Sequence, residues 1–116
     1  MKVAIIGSRS LRQPIPEDVV PKSTTLILSG AAEGTDRMAR AFALEHHIPI
    51  HEVVPDYARF GRSAPLRRND TIVDAADYVL AFWDGKSRGT AYVIDRCRKQ
   101  NKPLRVLRLR VQRAEK

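Results

Sequence analysis

The sequence predicts an α/β protein, a doubly wound parallel sheet of about five strands with helices on both faces. Short apolar runs alternate along the chain with longer segments in which apolar residues recur at helical spacing. Four of the runs lack the polar alternation of a half-exposed strand, which is typical of strands buried on both faces. Strands and helices that alternate at this spacing indicate a parallel sheet.

The first half of the chain predicts three strands and two helices. The strands are Lys2–Ile6, Thr25–Ser29 and Ile50–Val54. Prolines between the first two strands favour a loop with one short helix near 17–20. A long helix over 33–47 packs on the sheet through apolar residues at three- and four-residue spacing. Those residues are Met38, Ala39, Phe42 and Ala43.

The second half predicts two helices and two strands. The helices span Leu66–Ala76 and Thr90–Gln100, and Asn101 is suited to end the second of them. The strands are Tyr78–Phe82 and Leu104–Val111. Arginines interrupt the apolar residues of the last strand, which is typical of a half-exposed strand at the edge of a sheet.

Length and composition indicate one soluble domain. We assign residues 1–111 of the 116 to it and 112–116 to a basic C-terminal tail. The chain has no run of the roughly eighteen apolar residues that would cross a bilayer, and its N-terminal apolar run is too short for a secretory signal. We therefore expect a cytoplasmic protein with no membrane partner. The single cysteine, Cys97, fits a reducing compartment because it cannot form an internal disulfide.

The net charge of +8 is concentrated near the C-terminus. Residues 1–96 carry 13 Lys and Arg against 12 Asp and Glu, whereas residues 97–116 carry a net charge of +7. Such a segment is a solvated terminus, an oligomer contact or a surface for polyanions, and charge alone does not choose among them. If nucleic acid binds there, the arginines available are Arg105, Arg108, Arg110 and Arg113.

Three polar, glycine-bearing turns follow predicted strands. They are Gly7–Ser10, Ser29–Asp36 and Trp83–Thr90. Ligands of open parallel sheets bind outside the carboxyl ends of the strands, where these turns meet. Glycine lets a phosphate approach the main chain, and free N–H groups at a helix start point towards it. Gly7 or Gly30 taken alone is also explained by a tight turn, but three such turns at one edge weaken that explanation. The segment Ser87–Thr90 is the best candidate for a phosphate site.

Two common nucleotide motifs are absent. The dinucleotide fingerprint GxGxxG needs a second glycine that Gly7-Ser-Arg9 lacks, and the P-loop motif GxxxxGK[ST] needs an upstream glycine that Gly85-Lys86-Ser87 lacks. Both absences argue against a conventional NAD site and a Walker-type ATPase. The histidines have no carboxylate or thiolate companions at ligand spacing, so we expect no metal site. We also expect no cofactor.

Several candidate residues have more than one interpretation, and the sequence leaves the choice open. Asp36 and Asp84 either bind ribose hydroxyls, act as a catalytic acid or base, or only cap a helix start. Trp83 either stacks on a nucleobase or covers the end of the sheet. The segment Arg67-Arg68-Asn69 either reaches the same edge of the sheet or forms a solvated face.

Several motifs occur in a fixed order along residues 2–106. They are Val3-Ala-Ile-Ile-Gly-Ser-Arg9, Leu28-Ser-Gly30 with Gly34-Thr-Asp36, Arg68-Asn69, Ala76-Asp77, and Ala81-Phe-Trp-Asp-Gly85 with Ser87-Arg-Gly-Thr90. In this order and spacing they resemble the SLOG superfamily, and within it the YspA-like, YpsA-related branch. The resemblance implies a Rossmann-like fold that binds a small nucleotide or nucleotide sugar, as a ligand sensor or a processing subunit.

The turns and the resemblance together give the candidate ligand-binding residues. They are Gly7, Ser8, Arg9, Ser29, Gly30, Asp36, Arg68, Asn69, Trp83, Asp84, Gly85, Ser87, Arg88, Gly89 and Thr90. In this interpretation Ser87, Gly89 and Thr90 hold phosphate. Gly7, Ser8 and Gly30 admit the ligand, and Asp36 or Asp84 binds its ribose.

Relatives in the superfamily keep two alternative functions open. The Lonely guy phosphoribohydrolases cleave the N-glycosidic bond of nucleoside monophosphates with a glutamate three residues after the threonine of their phosphate loop. Val93 stands at that position here, so such cleavage would need Asp36 or Asp84 in another geometry. The DNA-processing protein of natural transformation binds single-stranded DNA, which the basic segment would allow although it lies away from the phosphate turn. The resemblance also implies a homo-oligomer.

Overall fold

The computed structural model describes residues 1–109, which contain a five-stranded sheet with every neighbouring pair parallel. The strands are β1 (Lys2–Gly7), β2 (Leu26–Gly30), β3 (Ile50–Val53), β4 (Tyr78–Trp83) and β5 (Leu104–Arg108). Their order across the sheet is β3-β2-β1-β4-β5. The chain moves outwards from β1 to β3, returns to the middle and continues outwards from β4 to β5, so the strand order reverses between β1 and β4.

Four α-helices lie within the described part of the chain. They are α1 (Thr35–Glu45), α2 (Tyr57–Phe60), α3 (Ala64–Ala75) and α4 (Arg88–Lys99). Two short 3₁₀ turns, Glu17–Val19 and Gly61–Ser63, lie between β1 and β2 and between α2 and α3. The predicted short helix near 17–20 is therefore a single 3₁₀ turn.

The central strand β1 divides two apolar layers. Val3 and Ile5 face the layer that is closed by α1 and by the segment between β1 and β2. Ala4 and Ile6 face the opposite layer, which α3 and α4 close. Because helices cover both faces of a parallel sheet, the predicted doubly wound, Rossmann-like α/β fold is confirmed.

Helix α1 begins two residues later and ends two residues earlier than predicted. Gly34 precedes it at φ 70° and ψ −120°, a conformation from which the helix cannot extend backwards. His47 takes φ 56°, in the left-handed region that commonly follows a helix. The predicted apolar face is correct, since Ala39, Phe42 and Ala43 are buried.

Helices α3 and α4 each begin two residues earlier than predicted. Pro65 belongs to the first turn of α3, where a residue without an N–H is tolerated. Helix α4 begins at Arg88 because the Ser87 side chain caps it by accepting from the Thr90 N–H. Asn101, at φ 55°, follows α4 in the left-handed region, as predicted.

The short helix α2 was not predicted. The Asp56 carboxylate caps it by accepting from the Arg59 N–H at 3.1 Å, and Gly61 ends it at φ 56°. Four residues are too few for a helical hydrophobic pattern, so only the cap and the glycine signalled this helix.

Strand β5 lies at the edge of the sheet, as predicted. It ends at Arg108, whereas the prediction extended it to Val111. Arg110, Arg113 and the predicted tail 112–116 lie outside the described residues. Within residues 1–109, no helix has both the length and the apolar character needed to cross a membrane.

Candidate functional site

A cavity of about 290 Å³ lies at the carboxyl ends of β1, β2 and β4, beside the reversal of strand order. Open parallel sheets bind ligands at this position, and small-ligand sites typically measure about 300–1,000 Å³. Nine predicted binding residues line the cavity: Gly7, Arg9, Gly30, Asp36, Arg68, Asn69, Ser87, Gly89 and Thr90. Six others do not line it: Ser8, Ser29, Trp83, Asp84, Gly85 and Arg88.

The predicted phosphate turn is the start of α4 and faces the cavity. The Ser87 hydroxyl accepts from the Thr90 N–H at 3.4 Å and lies 3.1 Å from the Thr90 hydroxyl. The first intrahelical bond runs from the Ala91 N–H to the Ser87 carbonyl, at 3.1 Å. Among residues 1–109, the N–H groups of Arg88 and Gly89 meet no acceptor. Free N–H groups at the positive end of the helix dipole favour a bound anion.

Gly89 leaves open space in the wall of the cavity. A Cβ added at this position would meet only the Asn69 side-chain nitrogen, at 3.9 Å, which is an ordinary van der Waals contact. The main chain of the first turn of α4 is therefore accessible from the cavity. This access is the feature that a phosphate needs in order to reach N–H groups.

Gly7 and Gly30 line the cavity for a different reason. A Cβ at Gly7 would overlap the Thr35 hydroxyl, and a Cβ at Gly30 would overlap the Arg68 guanidinium and the Asp36 carboxylate. Neither glycine adopts a positive φ. Both positions are glycine because neighbouring protein atoms approach the main chain closely, so these residues shape the wall of the cavity.

Asp84 builds the turn that precedes α4. Its Oδ1 accepts from the N–H groups of Lys86 and Ser87, both at 2.8 Å, and its Oδ2 accepts from the Ser10 hydroxyl at 3.2 Å. The Asp84 N–H donates in turn to the Ser8 hydroxyl at 3.0 Å. The N–H donors of Lys86 and Ser87 lower the pKa of Asp84, which keeps it ionised. Of the two candidate catalytic carboxylates, Asp84 therefore supports the turn from outside the cavity.

The first and second turns are joined through α1. The Thr35 side chain donates to the Ser8 carbonyl at 2.8 Å, and the Thr35 N–H donates to the same oxygen at 3.2 Å. Ser8 and Thr35 are buried. Gly34 lies against the main chain of Arg9 so closely that a Cβ would overlap it. These contacts position Arg9, which lines the cavity.

Asp36 is the buried carboxylate of the cavity wall. Its Oδ1 accepts from the Ser29 hydroxyl at 3.0 Å, and its Oδ2 accepts from the Ala32 N–H at 3.3 Å. Desolvation by burial raises the pKa of Asp36, against the hydrogen bond from Ser29 and the positive charge of Arg68. A carboxylate with a raised pKa beside a cavity is suited to accept ribose hydroxyls or to transfer a proton.

The raised pKa of Asp36 predicts a specific pH dependence of stability. The folded protein holds this proton more tightly than the unfolded chain. The contribution of Asp36 to the free energy of unfolding is thus fully present below the ordinary pKa of 3.8. It is lost as the pH rises through the higher pKa that Asp36 has in the folded protein. Urea unfolding across this range should show the stability of the native chain falling relative to Asp36→Asn, with a slope of at most about 1.4 kcal/mol per pH unit. A relative stability that rises with pH would contradict the prediction.

Trp83 covers the end of the sheet beside the cavity. Its Nε1 donates to the Ser87 carbonyl at 3.1 Å, and the Arg108 guanidinium lies 5.6 Å from the ring centroid. The same guanidinium lies against Gly85, which adopts φ +84°. The geometry favours the sheet-covering interpretation of Trp83. It also shows that Arg108 of the basic segment reaches Trp83 and Gly85 in the third predicted turn, although the sequence predicted that this segment lies away from the phosphate site.

Five further residues line the cavity and were not predicted: Ile6, Ala32, Glu33, Pro65 and Leu66. Ala32 and Glu33 lie inside the predicted turn Ser29–Asp36, so their position in that turn could have identified them as lining residues. Pro65 and Leu66 belong to the first turn of α3, which begins two residues earlier than the sequence predicts.

Comparison of the chain with protein-family models, curated proteins and solved structures gave no match. Within residues 1–109, no three His, Cys, Asp or Glu side chains come together in a way that could hold a metal ion.

Proposed function

We propose that this protein is a YspA-like member of the SLOG superfamily that binds a small nucleotide or nucleotide sugar in this cavity. The phosphate accepts from the N–H groups of Arg88 and Gly89, and Ser87 and Thr90 lie beside it. The Asp36 carboxylate accepts from the ribose hydroxyls. The observation that carries the proposal is the open space at Gly89, next to two N–H groups that have no acceptor among the described residues.

The charged groups of the cavity support an anionic ligand. Arg9 and Arg68 both line it. The Arg68 guanidinium is held in place by the Asn69 side-chain oxygen at 2.9 Å and the Val53 carbonyl at 3.2 Å. A guanidinium that is already oriented loses less conformational entropy when it binds a phosphate.

The positions of the acidic groups favour binding without cleavage. Val93, at the position of the Lonely guy glutamate, is fully buried in the layer between the sheet and α4. Among the described residues, the acidic side chains that line the cavity are Glu33 and Asp36. Asp36 is already engaged by Ser29 and Ala32, which suits a fixed acceptor of hydroxyl groups. We therefore propose a ligand sensor or a processing subunit.

A thermal-shift panel with chromatography of each sample tests this function. The panel contains nucleoside mono- and diphosphates, ADP-ribose and a short single-stranded oligonucleotide. A ligand at tenfold its Kd stabilises the folded state by about 1.4 kcal/mol, which raises the midpoint by several degrees in a domain of this size. We expect such a shift with intact nucleotide. A cleaved glycosidic bond would instead indicate the hydrolase, and a shift with the oligonucleotide alone would contradict nucleotide binding.

A further inference from the structure

A groove of about 610 Å³ continues from the cavity. The two are contiguous, because they share five lining residues: Arg9, Ala32, Glu33, Pro65 and Arg68. The groove then follows the outer side of α1 towards Pro55 and Tyr57. We call it the arginine groove, because it is lined by the four guanidinium groups of Arg9, Arg37, Arg40 and Arg68.

The charges of the arginine groove are unbalanced. Among the described residues that line the groove, Glu33 is the one acidic residue. Arg40 is held by Glu52 through two hydrogen bonds of 2.9 and 3.0 Å, which fixes its guanidinium and offsets part of its charge. Arg37 is exposed, and no hydrogen bond or ion pair within residues 1–109 engages it. The groove therefore offers a strongly positive surface directly beside the cavity.

Asp36 and Arg68 lie at the junction of the cavity and the groove. Both approach the same face of Gly30, and Arg68 lines both spaces. A ribose with its 5′-phosphate at the start of α4 has two free hydroxyls, on the 2′ and 3′ carbons. If one of them donates to Asp36, a phosphate on the other would lie at this junction and enter the positive region. Tyr57, which is 61% exposed, offers an aromatic face at the end of the groove away from the cavity.

We propose that the arginine groove binds a second phosphate group, so that the ligand of this protein is a nucleoside bisphosphate with phosphates on the 5′ and the 2′ or 3′ oxygens. The inference rests on the proposed function, because the first phosphate and the ribose occupy the cavity. Arginine is suited to this role, since its planar guanidinium donates to phosphate oxygens in pairs.

Calorimetric titration with nucleoside 5′-monophosphates, 2′,5′-bisphosphates and 3′,5′-bisphosphates of adenine, guanine, cytosine and uracil tests the proposal. For the base that binds best, we expect one of the two bisphosphates to bind about tenfold more tightly than the monophosphate. Arg37→Glu should abolish that difference and leave the monophosphate affinity within about twofold of the native value, because residue 37 lines the groove but not the cavity. The matched control is Arg98→Glu, which makes the same charge change in the last turn of α4.

The outcomes separate the two proposals. Affinities of both bisphosphates that equal that of the monophosphate, or a gain in affinity that survives Arg37→Glu, would overturn the bisphosphate assignment and leave nucleotide binding intact. Absence of binding by every monophosphate and bisphosphate, together with absence of binding by the diphosphates and ADP-ribose of the thermal-shift panel, would overturn both. A 5′-phosphorylated dinucleotide that binds more tightly than the bisphosphate, in a manner sensitive to Arg37→Glu, would assign the groove to single-stranded nucleic acid and overturn the small-ligand proposal.

Discussion

Gly89→Asp should weaken nucleotide binding by at least about 100-fold, since like charges about 4 Å apart at a protein surface repel by several kcal/mol. The new carboxylate would occupy the open space that we assign to the phosphate, beside the N–H groups of Arg88 and Gly89. The fold should be preserved. A Cβ at this position meets only Asn69, and an acidic residue in the first turn of a helix is favourable. Calorimetric titration measures the loss.

Gly89→Asn is the matched control, because it adds a side chain of the same size without the charge. We expect it to weaken binding less than Gly89→Asp, and Gly89→Ala to weaken it least. Thermal unfolding midpoints of all three variants should equal or exceed that of the native chain, since each replaces a glycine within a helix. Affinities of Gly89→Asp and the native chain within twofold of each other would rule out the phosphate site.

Gly34→Ala should lower the free energy of unfolding by about 3–5 kcal/mol, which combines the cost of a strained backbone with that of overpacking. Gly34 adopts φ 70° and ψ −120°, which is open to glycine almost alone. A Cβ at this position would also overlap the main chain of Arg9, to which the second turn is packed. Urea unfolding measures the difference.

Gly61→Ala separates strain from overlap. Gly61 adopts φ 56° and ψ −130°, nearly the same conformation as Gly34, but nothing lies within 4 Å of a Cβ added there. We expect it to cost about 1–2 kcal/mol, from backbone strain alone. If Gly34→Ala costs no more than Gly61→Ala, the close packing of the first two turns is not what requires glycine.

The strands and the edge of the sheet that holds the cavity could be predicted from the sequence. Buried parallel strands produce uninterrupted apolar runs, and the turns after them carry glycine. The range of β3, for example, was predicted to within one residue. Helix starts were less predictable, because they depend on a cap such as Ser87 or a conformation such as that of Gly34, which hydrophobic periodicity does not reveal.

The roles of individual polar residues could not be predicted. The sequence presents Asp36 and Asp84 alike, each after a strand and near a helix start. The fold buries Asp36 in the cavity wall and uses both oxygens of Asp84 to hold a turn. The arginine groove was also not foreseen. Arg37 and Arg40 belong to α1, whereas Arg68 belongs to α3 on the opposite face of the sheet, and only the tertiary structure places the three side chains along one groove.

The central claim is that a nucleotide phosphate binds at the first turn of α4. Its most direct test is to record backbone amide chemical shifts by ¹H–¹⁵N NMR while a nucleoside 5′-phosphate that binds in the thermal-shift panel is added. The account predicts that the amides of Arg88, Gly89 and Thr90 show the largest shifts, because the first two donate directly to the phosphate. Saturating nucleotide that leaves these three amides unmoved, and shifts resonances of β5 instead, would contradict it.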